Sequence, residues 1–142
     1  MGLAGFDGYG ADVSPAAGTI LIVEDDELVR DALTDVLERA GYGVLASSSC
    51  DDALAYLLRA TPPALVLLDI MMPGMPADRF RRLLEQEPVL ADLPLVVMTA
   101  KALPPGYAYP WARATLLKPV HAGALLEAVR THAGESRTSP SP

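Results

Sequence analysis

Acidic, hydroxyl and cationic side chains recur at one kind of place in this chain, the carboxyl end of a short apolar run. Glu24-Asp25 follows Thr19-Ile20-Leu21-Ile22-Val23, and Asp69 follows Ala64-Leu65-Val66-Leu67-Leu68. Thr99 follows Leu95-Val96-Val97-Met98, and Lys118 follows Ala114-Thr115-Leu116-Leu117. If these runs are strands of one parallel sheet, their polar ends converge, because such sheets bind ligands in the crevice beyond the carboxyl ends of their strands. Carboxylates crowded there repel one another and attract a hard cation such as Mg²⁺, which prefers oxygen donors. A metal-bound aspartate flanked by a hydroxyl and a lysine is suited to accepting a phosphoryl group.

The segments between these runs supply the elements that must position them. The spacing predicts a first helix from about Glu27 to Ala40, with Leu28, Ala32, Leu33, Val36 and Leu37 as its buried stripe and Gly41 as its stop. A short strand over Gly43 to Ala46 follows. Ser48 or Ser49 then caps a second helix, with Asp51 and Asp52 in its positive first turn. That helix is expected to bury Leu54, Leu57 and Leu58 and to stop before Pro62-Pro63. Ala64 to Leu68 is apolar without a break, as a strand covered on both faces must be. A third helix is predicted from about Asp78 to Gln86 on Phe80, Leu83 and Leu84. A last one runs from His121 to about His132 on Leu125, Leu126 and Val129. Alternating strands and helices imply right-handed crossovers and an α/β fold around a parallel sheet.

A chain of 142 residues is room for one ordinary domain, and with 51% hydrophobic residues it can bury a full core. Its one cysteine, Cys50, excludes an internal disulfide, fits a reducing compartment and reads as a small residue opening the second helix. The formal charge of −7 argues against nucleic acid as a partner, which requires a basic face. Arg79, Arg81 and Arg82, the one dense basic cluster, read as a solvated helix face. No apolar run is long enough to span a bilayer, and no basic segment precedes an apolar core at the amino terminus. Met1-Gly2 lacks the Ser or Thr of a myristoylation signal, since Phe6 stands there. The expectation is a soluble, cytoplasmic protein with no membrane partner. Residues 1–18, with five of the eleven glycines, and the polar, proline-bearing 134–142 read as flexible tails around a domain over 19–133.

Four segments, in order, carry a family resemblance: Ile20-Leu21-Ile22-Val23-Glu24-Asp25-Asp26, Leu67-Leu68-Asp69-Ile70-Met71-Met72-Pro73-Gly74-Met75, Val97-Met98-Thr99-Ala100 and Leu117-Lys118-Pro119. Together they resemble the receiver domain of two-component response regulators. The resemblance implies a flavodoxin-like three-layer sandwich with five parallel strands in the order 2-1-3-4-5. It implies that Asp69 is the phosphoacceptor and forms an acyl phosphate. Asp25 would ligate Mg²⁺ directly, Glu24 through a water, and Asp69 and the Met71 backbone carbonyl would complete the protein's share. Mg²⁺ keeps several waters, so a sparse set suffices. Thr99 would donate its hydroxyl to a phosphoryl oxygen, and Lys118 would pair with Asp69 at rest and with the phosphoryl group afterwards. Pro119 resembles the family proline that follows lysine in a cis peptide. Asp26 reads as a helix-start acid, and His121 and His132 as surface helix residues. The implied donor is a histidine kinase or phosphotransfer protein. No water-activating base is evident, so the chain reads as a phosphoacceptor whose output is protein binding, not as an enzyme.

Three departures from the family pattern stand beside this. The family places a fourth helix between the positions of Thr99 and Lys118. Here Pro104, Pro105, Gly106 and Pro110 interrupt that stretch, so the helix is expected to be missing or reduced to one turn. Tyr107, Tyr109 and Trp111 within it either cover the sheet or form an aromatic partner surface. Thr115 stands where many receivers carry a switching aromatic, and Ala77, two residues after Met75, where a glycine is common; Pro76 reads as the start of the third helix. These departures support a second reading, a phosphorylation-independent interaction module; the complete set of Glu24, Asp25, Asp69, Thr99 and Lys118 opposes it.

Overall fold

A computed structural model describes residues 18–100 and 109–134. Five strands and four helices alternate: β1 (Thr19–Val23), α1 (Glu27–Arg39), β2 (Gly43–Ser47), α2 (Cys50–Leu57), β3 (Leu65–Asp69), α3 (Ala77–Glu85), β4 (Leu95–Thr99), β5 (Ala114–Leu117) and α4 (Ala122–His132). The strands form one sheet in the order β2-β1-β3-β4-β5, all neighbours parallel. This is the parallel α/β sheet that the alternating pattern implies, in the flavodoxin-like order that the resemblance implies.

Successive side chains of a strand point to opposite faces, so each buried strand feeds two cores. Ile20, Ile22, Leu65, Leu67, Val96 and Met98 meet Leu33 and Leu37 of α1 and Leu125 and Val129 of α4. Leu21, Val23, Val66 and Leu68 meet Ala53 and Leu57 of α2 and Phe80 and Leu84 of α3 on the other face. That double coverage is why β1, β3 and β4 tolerate almost no polar residue before their last position.

Local signals set the helix ends. Asp26 is the N-cap of α1, its carboxylate accepting from the Leu28 and Val29 amides at 2.9 and 3.1 Å. Gly41, at φ +98°, lets α1 close in a Schellman turn: the Gly41 amide donates to Glu38 O and the Tyr42 amide to Leu37 O. The turn also drops Tyr42 into the core beside Leu37. Of the two candidate serines, Ser49 caps α2, accepting from the Asp52 amide at 3.0 Å. Cys50 opens that helix in a buried position, where burial, aided by Asp51 and Asp69, pushes its thiol up to about 11.

The expected stripe of α1 needs correction. Leu28 is 79% exposed and Ala32 is exposed; the inward residues are Val29, Leu33, Val36 and Leu37. Leu28 is one position, about 100° around the helix, from Val29, and lies in the turn that overhangs the strand ends. Leu58 is likewise exposed, at 54%, because α2 ends at Leu57, while Leu54, Leu83 and Leu126 are half-buried. Ala53, Ala128 and Leu90 are buried without having been expected there.

Among the described residues no helix lies between β4 and β5. Residues 101–108, on which most of that expectation and Tyr107 fall, lie outside the described residues, as do 1–17 and 135–142 of the expected tails. Trp111 is half-buried and packs against the core on the α2–α3 face. Its indole N–H donates to Asp78 Oδ1 at 2.9 Å, and the Tyr109 ring meets it edge-on at 5.3 Å. The short connection into β5 is thereby fastened to the first turn of α3. Trp111→Phe keeps an aromatic ring but removes the donor and part of the packing surface, and the donor's share should be about 1 kcal/mol in urea unfolding followed by circular dichroism. Loss of that cost in an Asp78→Ala background would show that the hydrogen bond is its origin.

Candidate functional site

Strand register gathers the polar residues. Val23 pairs with Leu68, so Glu24 emerges beside Asp69; Asp69 in turn lies opposite Met98, one residue before Thr99. Thr99 pairs with Leu117, and the Lys118 amide donates to Thr99 O at 2.8 Å, which brings the lysine to the same rim. Glu24, Asp69 and Thr99 are buried, at 1%, 4% and 2% exposure. Asp25 is exposed at the mouth.

The Lys118 ammonium bridges the two buried acids, donating to Glu24 Oε1 at 2.7 Å and to Asp69 Oδ2 at 3.1 Å. The second oxygen of each acid has its own partner. Glu24 Oε2 accepts from the Asp26 amide at 3.1 Å, and Asp69 Oδ1 accepts from the Met71 amide at 2.9 Å. At Met71 it is the backbone N–H that meets Asp69, while the side chain is 55% exposed. The Lys118–Pro119 peptide is cis, as the resemblance implies.

Arg30 is a residue that reading the sequence missed. Its guanidinium reaches back along α1 and donates to the Glu24 carbonyl at 2.8 Å, fixing the bend between β1 and α1. The available signal was its place one turn after the Asp26 cap, on the half-buried side of a helix that starts at the strand ends. His121 is an exposed residue immediately before α4, and His132 ends that helix in a half-buried position.

Burial raises the Glu24 carboxyl above its ordinary value. The Lys118 and Asp26 hydrogen bonds oppose this and the Asp69 charge reinforces it. Burial pulls the Lys118 ammonium down, yet its hydrogen bonds to Glu24 and Asp69, with their charges, outweigh burial and leave it raised. One oxygen each of Glu24, Asp25 and Asp69 lies within 4.8 Å of the others. Three carboxylates set against one ammonium form a hard, oxygen-only donor set with negative charge in excess, which fits a divalent cation of the Mg²⁺ type.

The family model described as the response regulator receiver domain matches residues 20–130. The chain belongs to that family. The receiver is 36% identical over 83 residues to the phosphate regulon transcriptional regulatory protein PhoB of Pseudomonas aeruginosa, a match covering 58% of this chain and 36% of that protein. It is 35% identical over 125 residues to the response regulator protein FleR of the same organism, covering 82% of this chain and 25% of FleR. The receiver therefore spans well under half the length of these curated relatives. In structure it is similar to the CheY-like response regulator receiver domain protein from Methanospirillum hungatei, with a TM-score of 0.71, 28% identity and coverage of 83% of this chain and 95% of that one. The N-terminal domain of a response regulator receiver protein from Methanoculleus marisnigri matches with a TM-score of 0.65 and 36% identity, over 80% of this chain and 94% of that one. None of the described helices of the receiver is long and apolar enough to cross a membrane.

Lys118→Met tests the charge balance. A carboxyl raised in the folded state binds protons that the unfolded chain has released, so stability falls as pH climbs from its unfolded pKa through its folded one. Removing Lys118 takes away a hydrogen bond and a charge that hold Glu24 down, and so widens that window upward. Metal-free melting of the variant should drop more steeply than wild type as pH rises above the ordinary carboxyl value of 4.5. Parallel profiles would contradict the coupling.

Proposed function

We propose that this receiver takes a phosphoryl group onto Asp69 from a histidine kinase or phosphotransfer protein and passes the signal on by protein–protein contact. The observation that carries this reading is the Lys118 ammonium held between buried Asp69 and buried Glu24. An Asp69 oxygen attacks phosphorus; the new O–P bond forms as the bond to the donor breaks, and the electron pair leaves with the donor. Lys118, a compact charge on a flexible stem, can turn from the carboxylate to the phosphoryl oxygens. The Thr99 hydroxyl, buried at the end of β4, is the donor proposed to meet one of those oxygens. Glu24, Asp25, Asp69 and the Met71 carbonyl would hold Mg²⁺, which supplies positive charge against the phosphoryl oxygens when bound. The Met71 amide and Lys118 orient Asp69 beforehand, leaving little reorganisation for the transfer itself. On this reading the chain is a phosphoacceptor and not an enzyme, and it works in the cytoplasm, where a free thiol such as Cys50 persists.

A donor must approach past α1. An apolar groove of about 640 Å³ borders Lys118, lined by Leu28, Val29, Ala32, Ala100 and Pro119. The overhanging Leu28 is the exposed apolar anchor a partner helix could cover. Thr115, exposed on β5, favours the second reading, an interaction module whose output does not require phosphate.

Incubation with acetyl phosphate and Mg²⁺ should add one phosphoryl group by intact mass, and Asp69→Ala or chelation of the metal should abolish the gain. A wild-type protein that gains no mass would leave the phosphorylation-independent module standing. Leu28→Glu should slow transfer from a protein donor about tenfold yet leave labelling by acetyl phosphate at the wild-type rate. Equal slowing of both donors would remove the groove from the docking path.

A further inference from the structure

The three clustered acids are held in different ways. Glu24 and Asp69 are buried, and each is gripped by Lys118 and by a backbone amide. Asp25 is exposed at the mouth, yet one of its oxygens lies within 4.8 Å of an oxygen of each of the other two. An exposed carboxylate on a short side chain takes its place from the main chain that carries it.

That main chain is closed into a ring by three hydrogen bonds. The Asp26 amide donates to Glu24 Oε2 at 3.1 Å, and the Arg30 amide donates to the Asp26 carbonyl at 2.9 Å. The Arg30 guanidinium then returns to the Glu24 carbonyl at 2.8 Å. Asp25 sits inside this ring. Upstream, the Glu24 amide is bound to Ser47 O of β2 at 3.0 Å, so the peptide units on both sides of Glu24 are fixed. The Asp26 cap explains why residue 30 is available. By starting α1 at Glu27, it brings a side chain one turn later back over the strand end. Two bonds of the ring use backbone donors. The third requires a long cationic donor at residue 30, and a donor of that kind makes the stronger class of hydrogen bond to a carbonyl.

We propose that Arg30 is a positioning residue for divalent-cation binding: by fixing the peptide between Glu24 and Asp25, it holds the Asp25 carboxylate beside Glu24 and Asp69. This rests on the reading of the three acids as a Mg²⁺ site. Charge and geometry predict opposite signs for the loss of Arg30. A guanidinium at the Glu24 carbonyl repels a cation, so removing it as a bystander charge would tighten Mg²⁺ binding. Removing it as a positioning contact frees Asp25 and weakens binding, because the order must then be supplied when the ion arrives.

The test is calorimetric titration of Mg²⁺, without a phosphoryl donor, into wild type, Arg30→Met and Arg30→Lys. Arg30→Met should bind about tenfold more weakly, the size of one charged hydrogen bond lost. Arg30→Lys keeps the charge and a donor and should fall between the two. Arg30→Gln stands in if Arg30→Met does not fold. In metal-free protein, amide exchange should quicken at Asp25 and Asp26 in Arg30→Met and stay unchanged along β3 and β4. Wild-type or tighter Mg²⁺ affinity in folded Arg30→Met would overturn the inference alone. Exchange quickened equally in β3 and β4 would do the same, since Arg30 would then serve the whole fold. Wild type that binds no Mg²⁺ would overturn the metal-site reading, and this inference with it.

Discussion

Two carboxylates buried side by side at the ends of neighbouring strands would repel each other and forfeit their hydration, and Lys118 is what makes the arrangement tenable. Its ammonium touches both, and the remaining oxygen of each acid takes a backbone amide. The rest of the structure can be understood as serving that contact. The β1–β3 register places the acids together, the β4–β5 pairing delivers the lysine, and the Arg30 guanidinium pins the bend at Glu24. Because Glu24 stays raised even with the lysine in place, the site retains an appetite for more positive charge. A divalent cation and a phosphoryl group, arriving together, would satisfy that appetite and redistribute the lysine.

Much of this was legible in the residues alone. Unbroken apolar runs marked β1, β3 and β4 because both sheet faces are covered, and polar residues were confined to the strand ends where the cores stop. The caps at Asp26 and Ser49 and the stop at Gly41 depend on short-range hydrogen bonds and backbone conformation, which sequence signals capture well. The misplaced residues have a common cause. Leu28 and Leu58 fit a helical period, but a period does not say where a helix overhangs the sheet or where it ends. The Arg30 contact and the Trp111–Asp78 bond, the latter across 33 residues, depend on how elements meet, and no local pattern encodes that.

The stretch after β4 marks the boundary between fold and individuality. Among the described residues it holds no helix, and its last part is secured by one indole.

The site's charges are also distributed unevenly across the sheet. Glu24 and Asp69 follow from β1 and β3, interior strands with neighbours on both sides, while Lys118 hangs from β5, a strand of four residues at the sheet's edge with Thr115 and Leu117 facing solvent. Edge elements with few buried contacts open at a smaller free energy than the whole domain. The counter-ion is therefore tethered to an edge strand, and the acids to interior strands paired on both sides. Fraying of one short strand is enough to change the electrostatic state of the pocket while its carboxylates stay where they are.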